Sequence, residues 1–103
     1  MLIQKEYQEG DIVSFKIVNG EELVAKVVDV DGDHYTLAKP CTIMPGPQGI
    51  GMIQSLFTAE QDTNVKLSKQ HVILHAPSID QIQKHYIKTT TGIEPVTRGG
   101  IIT

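Results

Sequence analysis

The dipeptide Asn19-Gly20 sits between an alternating segment and an apolar run, and that arrangement narrows the possible folds more than any other feature of the chain. Across residues 11–18, Val13, Phe15 and Ile17 fall on one side and Ser14 and Lys16 on the other, the period of two that a half-buried strand requires. Asn-Gly accommodates the positive φ values of a two-residue hairpin turn, so a second strand is expected to fold straight back from Glu21. This second strand, residues 21–30, carries Leu23, Ala25 and Val27 on one parity and Val24, Val28 and Val30 on the other. Apolar residues on both parities predict a strand that bends or bulges and buries part of each side.

Further strands follow, each closed by a turn signal. Asp31-Gly32-Asp33 punctuates the chain before a third strand over residues 34–43, in which Pro40 predicts an edge or a kink because it cannot donate to a ladder. Residues 44–51 combine Pro and Gly and read as a flexible connection, with Met44 and Ile50 either tucked under it or offered to a partner. A fourth strand is expected over residues 52–59, and a broken fifth over residues 65–67 and 71–75, interrupted by Ser68, Lys69 and Gln70.

The period then changes. Ser78 and Gln81 are spaced as a capping box with Asp80 in the first turn, and Ile79, Ile82 and Tyr86 share one helical face expected to pack on the sheet. Gly92 and Pro95 predict the helix stop, and residues 93–103 read as a mobile tail. The expected fold is all-β: a strongly bent, barrel-like antiparallel sheet of about five strands followed by a C-terminal helix. Residues 1–92 form the domain and residues 93–103 the tail.

Composition agrees with one β-rich core. The chain has 103 residues, enough for one domain, and only 5% aromatics with no Trp, so Val, Ile and Leu carry the packing. A net charge of −3 without a polybasic run argues against non-specific coating of DNA. Cys41 has no second cysteine to pair with and reads as an inert core thiol. The first eight residues lack the apolar segment of a signal peptide, and no apolar run is long enough to span a bilayer. His71 and His75 have the spacing that holds zinc on a helix, but on a strand they stand about 13 Å apart. Without an HExxH pattern no metal site is expected, and no cofactor either. Ser, His and Asp occur without a nucleophile elbow, and Gly49 and Gly51 lead into a strand and not a helix, so no enzyme is expected.

The stretch NGEELVAKVVDVDGDHYTL, residues 19–37, resembles the first motif of the Sm and LSm family, with Gly20, Ala25, Asp31 and Leu37 at the family's characteristic places. VKLSKQHVILHA, residues 65–76, is similar to the second motif through Leu67, Ser68, Lys69 and Val72. In wording the chain resembles in particular the Sm-like proteins of tailed phages that infect marine cyanobacteria, where GDIVSFK, NGEELVAKV, SLFTA and HYIKTTTGI have near equivalents. The resemblance implies a five-stranded Sm-type barrel that pairs its edge strands with its neighbours in a homo-oligomeric ring of about five to seven subunits. It also implies single-stranded RNA as a partner, and a cytoplasmic setting, that of the host cell if the chain is phage-encoded.

Three departures accompany the resemblance. His34 or Tyr35 stands where the family usually carries Asn, Ser68-Lys69 replaces an Arg-Gly or Lys-Gly pair, and the helix follows the barrel instead of preceding it. The candidate nucleic-acid-binding residues are therefore Asp31, His34, Tyr35, Ser68 and Lys69. On one reading His34 and Tyr35 stack on an unpaired base while Lys69 holds its phosphate. On the other, Tyr35 packs in the core, His34 and Lys69 are solvated, and the chain is a structural or assembly ring protein of phage origin that binds no nucleic acid.

Overall fold

The computed structural model describes residues 7–60 and 62–91. Residues 1–6, Gly92, Pro95 and the expected tail lie outside the described residues. Among the described residues six strands are formed: β1 Ile12–Ile17, β2 Glu22–Val30, β3 His34–Gly46, β4 Gly49–Gln54, β5 Val65–Ser68 and β6 Val72–Pro77, followed by the helix α1, Asp80–Thr91. A single 3-10 turn, Lys69–His71, joins β5 to β6. All pairings are antiparallel, in the order β4-β3-β2-β1-β6, with β5 also on β3.

The expected five-stranded barrel is corrected to a six-stranded sheet that does not close. The 3-10 turn shows why, because its backbone bonds outward to the neighbouring turns. Lys69 N–H donates to the Asp33 carbonyl at 2.9 Å, and Val18 N–H donates to the His71 carbonyl at 2.9 Å. β5 and β6 thus diverge to β3 and β1, and no ladder joins them among the described residues.

The expected flexible connection over residues 44–51 is a β-hairpin. β3 runs on to Gly46, Gly46 pairs with Gly49, and Pro47-Gln48 form the tip. Pro47 presets its own φ for a turn, and Gly49 takes a φ of +121° that a side chain would oppose. The expected fourth strand over residues 52–59 ends instead at Gln54. At Asn19-Gly20 the turn spans Ile17 to Gly20, closed by Gly20 N–H to the Ile17 carbonyl at 2.8 Å. Gly20 alone of the pair has a positive φ, +92°, so this is a turn followed by a left-handed glycine and not a two-residue loop.

The sheet packs on both faces, which accounts for the mixed parity of β2. Val13, Phe15, Leu23, Ala25, Val27, Tyr35 and Leu37 form one core, and Ile12, Val24 and Cys41 form a second beneath α1 with Tyr86. The β2–β3 ladder shifts register between Val24 and Lys26 and again between Val27 and Asp29, the irregularities expected of a bending strand. Pro40 marks a kink in β3. Lys39 before it has a φ of +49°, and this kink separates the half of β3 paired with β5 from the half paired with β4.

Ser78 is not the helix cap. Its N–H continues the sheet by donating to the Ile12 carbonyl at 3.0 Å, and its hydroxyl pairs with that of Ser14 at 2.7 Å. Ser78, one residue past β6, is therefore still tied to the sheet, and Gln83 N–H closes the first helical turn on the Ile79 carbonyl. Because Ile79 is spent at the cap it stays exposed, while Ile82 and Tyr86 alone of the expected stripe face the second core.

Candidate nucleic-acid interface

Local chemistry builds the first half of the site. After β2 the chain turns through Asp31-Gly32-Asp33, and the Asp31 carboxylate accepts the N–H groups of Asp33 and His34, each at 2.7 Å. An aspartate readily folds back on the backbone two residues on, so this turn is written into the DGD segment itself. Those two backbone bonds, helped by the charges of His34 and Lys66, hold the Asp31 carboxyl below the usual carboxylate range. His34 Nδ1 lies 3.9 Å from the same oxygen, and both side chains stay well exposed.

Strand pairing supplies the second half. His34 stands opposite Ser68 and Tyr35 opposite Leu67, so the β3–β5 ladder carries Ser68 and Lys69 to the Asp31 turn. Lys69 N–H bonds the Asp33 carbonyl, and the Ser68 hydroxyl accepts Gln70 N–H at 3.3 Å as the cap of the 3-10 turn. The five residues singled out by sequence thus meet at one end of the sheet only through the long-range pairing of β5, which brings Ser68 and Lys69 beside His34 and Tyr35, 34 positions earlier in the sequence.

The two aromatic candidates differ in access. Tyr35 is 6% exposed, its ring packed 5.0 Å from Phe15 and 5.8 Å from His75 between ring centroids. The Lys69 ammonium lies 5.3 Å from the centroid of the Tyr35 ring, a cation–π contact. Tyr35 is therefore a core residue that positions Lys69, and His34 presents the accessible ring.

Tyr7 and His75 were not legible as part of this region. Tyr7 OH and His75 Nδ1 share a hydrogen bond of 2.7 Å, and the Tyr7 ring lies 6.3 Å from Tyr35. Tyr7 precedes the first strand and carries no periodic signal. His75 could have been found from pairing, since it stands directly opposite Phe15. Burial, with lesser contributions from Tyr35 and Asp11, raises the Tyr7 phenol above its ordinary pKa.

Among the described residues no group of three His, Cys, Asp or Glu side chains is placed to hold a metal ion. Cys41 is buried, with its thiol pushed up by desolvation and donating to the Lys39 carbonyl at 3.7 Å. No described helix is long and apolar enough to cross a membrane. The sequence matches no known protein-family model, and no curated protein is similar to it.

Proposed function

We propose that this chain is an Sm-like protein that joins edge to edge into a homo-oligomeric ring and binds single-stranded RNA, without catalysis. The observation that carries the reading is the placing of β4 and β5 along the same side of β3. Read as two halves of one strand interrupted by residues 55–64, they reduce six strands to the five of an Sm-type sheet, bent at Lys39-Pro40. The 3-10 turn then brings the two ends of the sheet together without a ladder, leaving an open edge at each end. Open edges invite pairing, and these carry exposed Ile50 and Ile53 on β4 and exposed Ile73 and Leu74 on β6. A ring satisfies both edges of every copy at once.

The RNA part of the proposal rests on His34 and Lys69, an accessible ring for stacking and a cation for phosphate, repeated around the ring so that weak sites act together. Titration of the purified protein with short U-rich and A-rich RNA at two salt concentrations tests it. Binding that weakens with salt, and a Lys69→Ala variant that binds more weakly with a salt slope smaller by about 0.7, are expected. No binding at low salt contradicts the RNA reading. It would favour the second one, a structural or assembly ring of phage origin, which the burial of Tyr35 and the net charge of −3 support.

A further inference from the structure

Residues 55–64 interrupt the β4–β5 edge and carry Phe57, the most exposed large apolar side chain among the described residues at 73%. Leu56 beside it is also exposed. The loop that holds them is braced. The Gln54 amide donates to the carbonyls of Leu56 at 2.7 Å and Ala59 at 3.0 Å, Ser55 N–H donates to the Pro40 carbonyl at 3.0 Å, and the Ser55 hydroxyl pairs with that of Thr42 at 2.9 Å. A ring held in water on a preorganised loop forgoes the burial that apolar surface favours, and loses little further freedom when something covers it.

At the opposite end of the sheet order, β1 and β6 frame a cavity of about 300 Å³ with a largely apolar wall. Leu74 and Ala76 line it with Ser14, Lys16, Glu22 and His75, above the fully buried Phe15. A head-to-tail contact needs two different complementary patches on the same chain, at opposite edges. Here an aromatic knob lies on one edge and an apolar hole on the other.

We propose that the knob's occupant site is a second copy of this chain: Phe57 seats in the β1–β6 cavity of the next subunit and sets the register of the edge pairing. This inference rests on the ring reading above. Two six-residue strands make a short interface. A buried Phe adds roughly 150–250 Å² toward the roughly 800 Å² per partner of a stable contact.

The test is assembly of the full chain by light scattering, together with cross-linking. Phe57→Ser is expected to weaken association about 10- to 100-fold, Leu74→Glu to do so from the side of the hole, and Phe57→Leu to retain assembly. Circular dichroism of Phe57→Ser matching the parent separates lost assembly from lost folding. In a Cys41→Ser background that keeps Phe57, Thr58→Cys beside the knob combined with Ala76→Cys is expected to give a ladder of covalent oligomers on mild oxidation. A parent chain that assembles while Phe57→Ser assembles equally tightly, or while the double-cysteine variant gives no ladder, overturns the knob and leaves the ring reading standing. A parent chain that is monomeric overturns both.

Discussion

The Tyr86 hydroxyl reaches from α1 into the β2–β3 ladder where its register shifts, accepting Lys26 N–H at 3.1 Å and donating to the Ala38 carbonyl at 2.8 Å. Lys26 and Ala38 are strand partners, so the phenol bridges two backbone groups that the bulge has parted. Tyr86→Phe leaves both without that partner and should cost about 1–3 kcal/mol, read as a lower midpoint in urea unfolding. Burial pushes the Tyr86 phenol up to about 12. An unfolded tyrosine ionises near pH 10, so this contribution to stability is complete below about pH 10 and is lost progressively as pH rises to about 12. Tyr86→Phe should flatten the alkaline limb of the stability curve. Lys39 offers a second test at the same scale. Its φ of +49° suits glycine, so Lys39→Gly should be more stable than Lys39→Ala by about 1 kcal/mol, the reverse of the usual order, since both lose the 3.4 Å bond from Nζ to the Thr90 carbonyl. Sequence exposed the turn aspartate Asp31, whose bonds reach two and three residues along the chain. It hid the roles of Tyr86 and Tyr7, because a hydroxyl that reaches 48 and 60 positions along the chain, as in Tyr86, or 68, as in Tyr7, leaves no local trace.

The elements divide along the same line. Strands β1 and β2 were readable because alternation and a left-handed glycine at Gly20 are local, and the kink at Pro40 followed from its missing N–H. The hairpin over residues 44–51 was not, because Pro and Gly signal a turn without saying how tight it is, and only the pairing of β3 with β4 makes strands of the glycines on either side. The capping box failed for a related reason: Ser78 satisfies its local pattern, yet the sheet claims its N–H and Ser14 claims its hydroxyl. The helix itself spans 12 residues, a marginal length in isolation, and is held by Ile82 and Tyr86 on the second core. A peptide of residues 78–91 should therefore be largely unstructured in water by circular dichroism. In the full chain the helix should melt together with the sheet in one transition, and separate transitions would show that the second core does not couple them.

At the scale of the whole molecule, the sheet leaves β4 with β5 at one end and β6 at the other, each presenting apolar side chains to water. Ring closure would cover these edges and place one Asp31, His34 and Lys69 cluster per subunit around a common axis. The motifs at residues 19–37 and 65–76 made this end of the sheet visible in the sequence, since they carry the turn aspartate and the 3-10 turn that lie side by side in the fold. They could not show that Tyr35 is spent on the core, which depends on Phe15 and His75 arriving from other strands. The assembly is the claim on which the rest depends. Native mass spectrometry of the purified chain at micromolar concentration measures it directly: a single closed species of about five to seven copies is the result expected from edge-to-edge pairing, and a monomer at that concentration would contradict it.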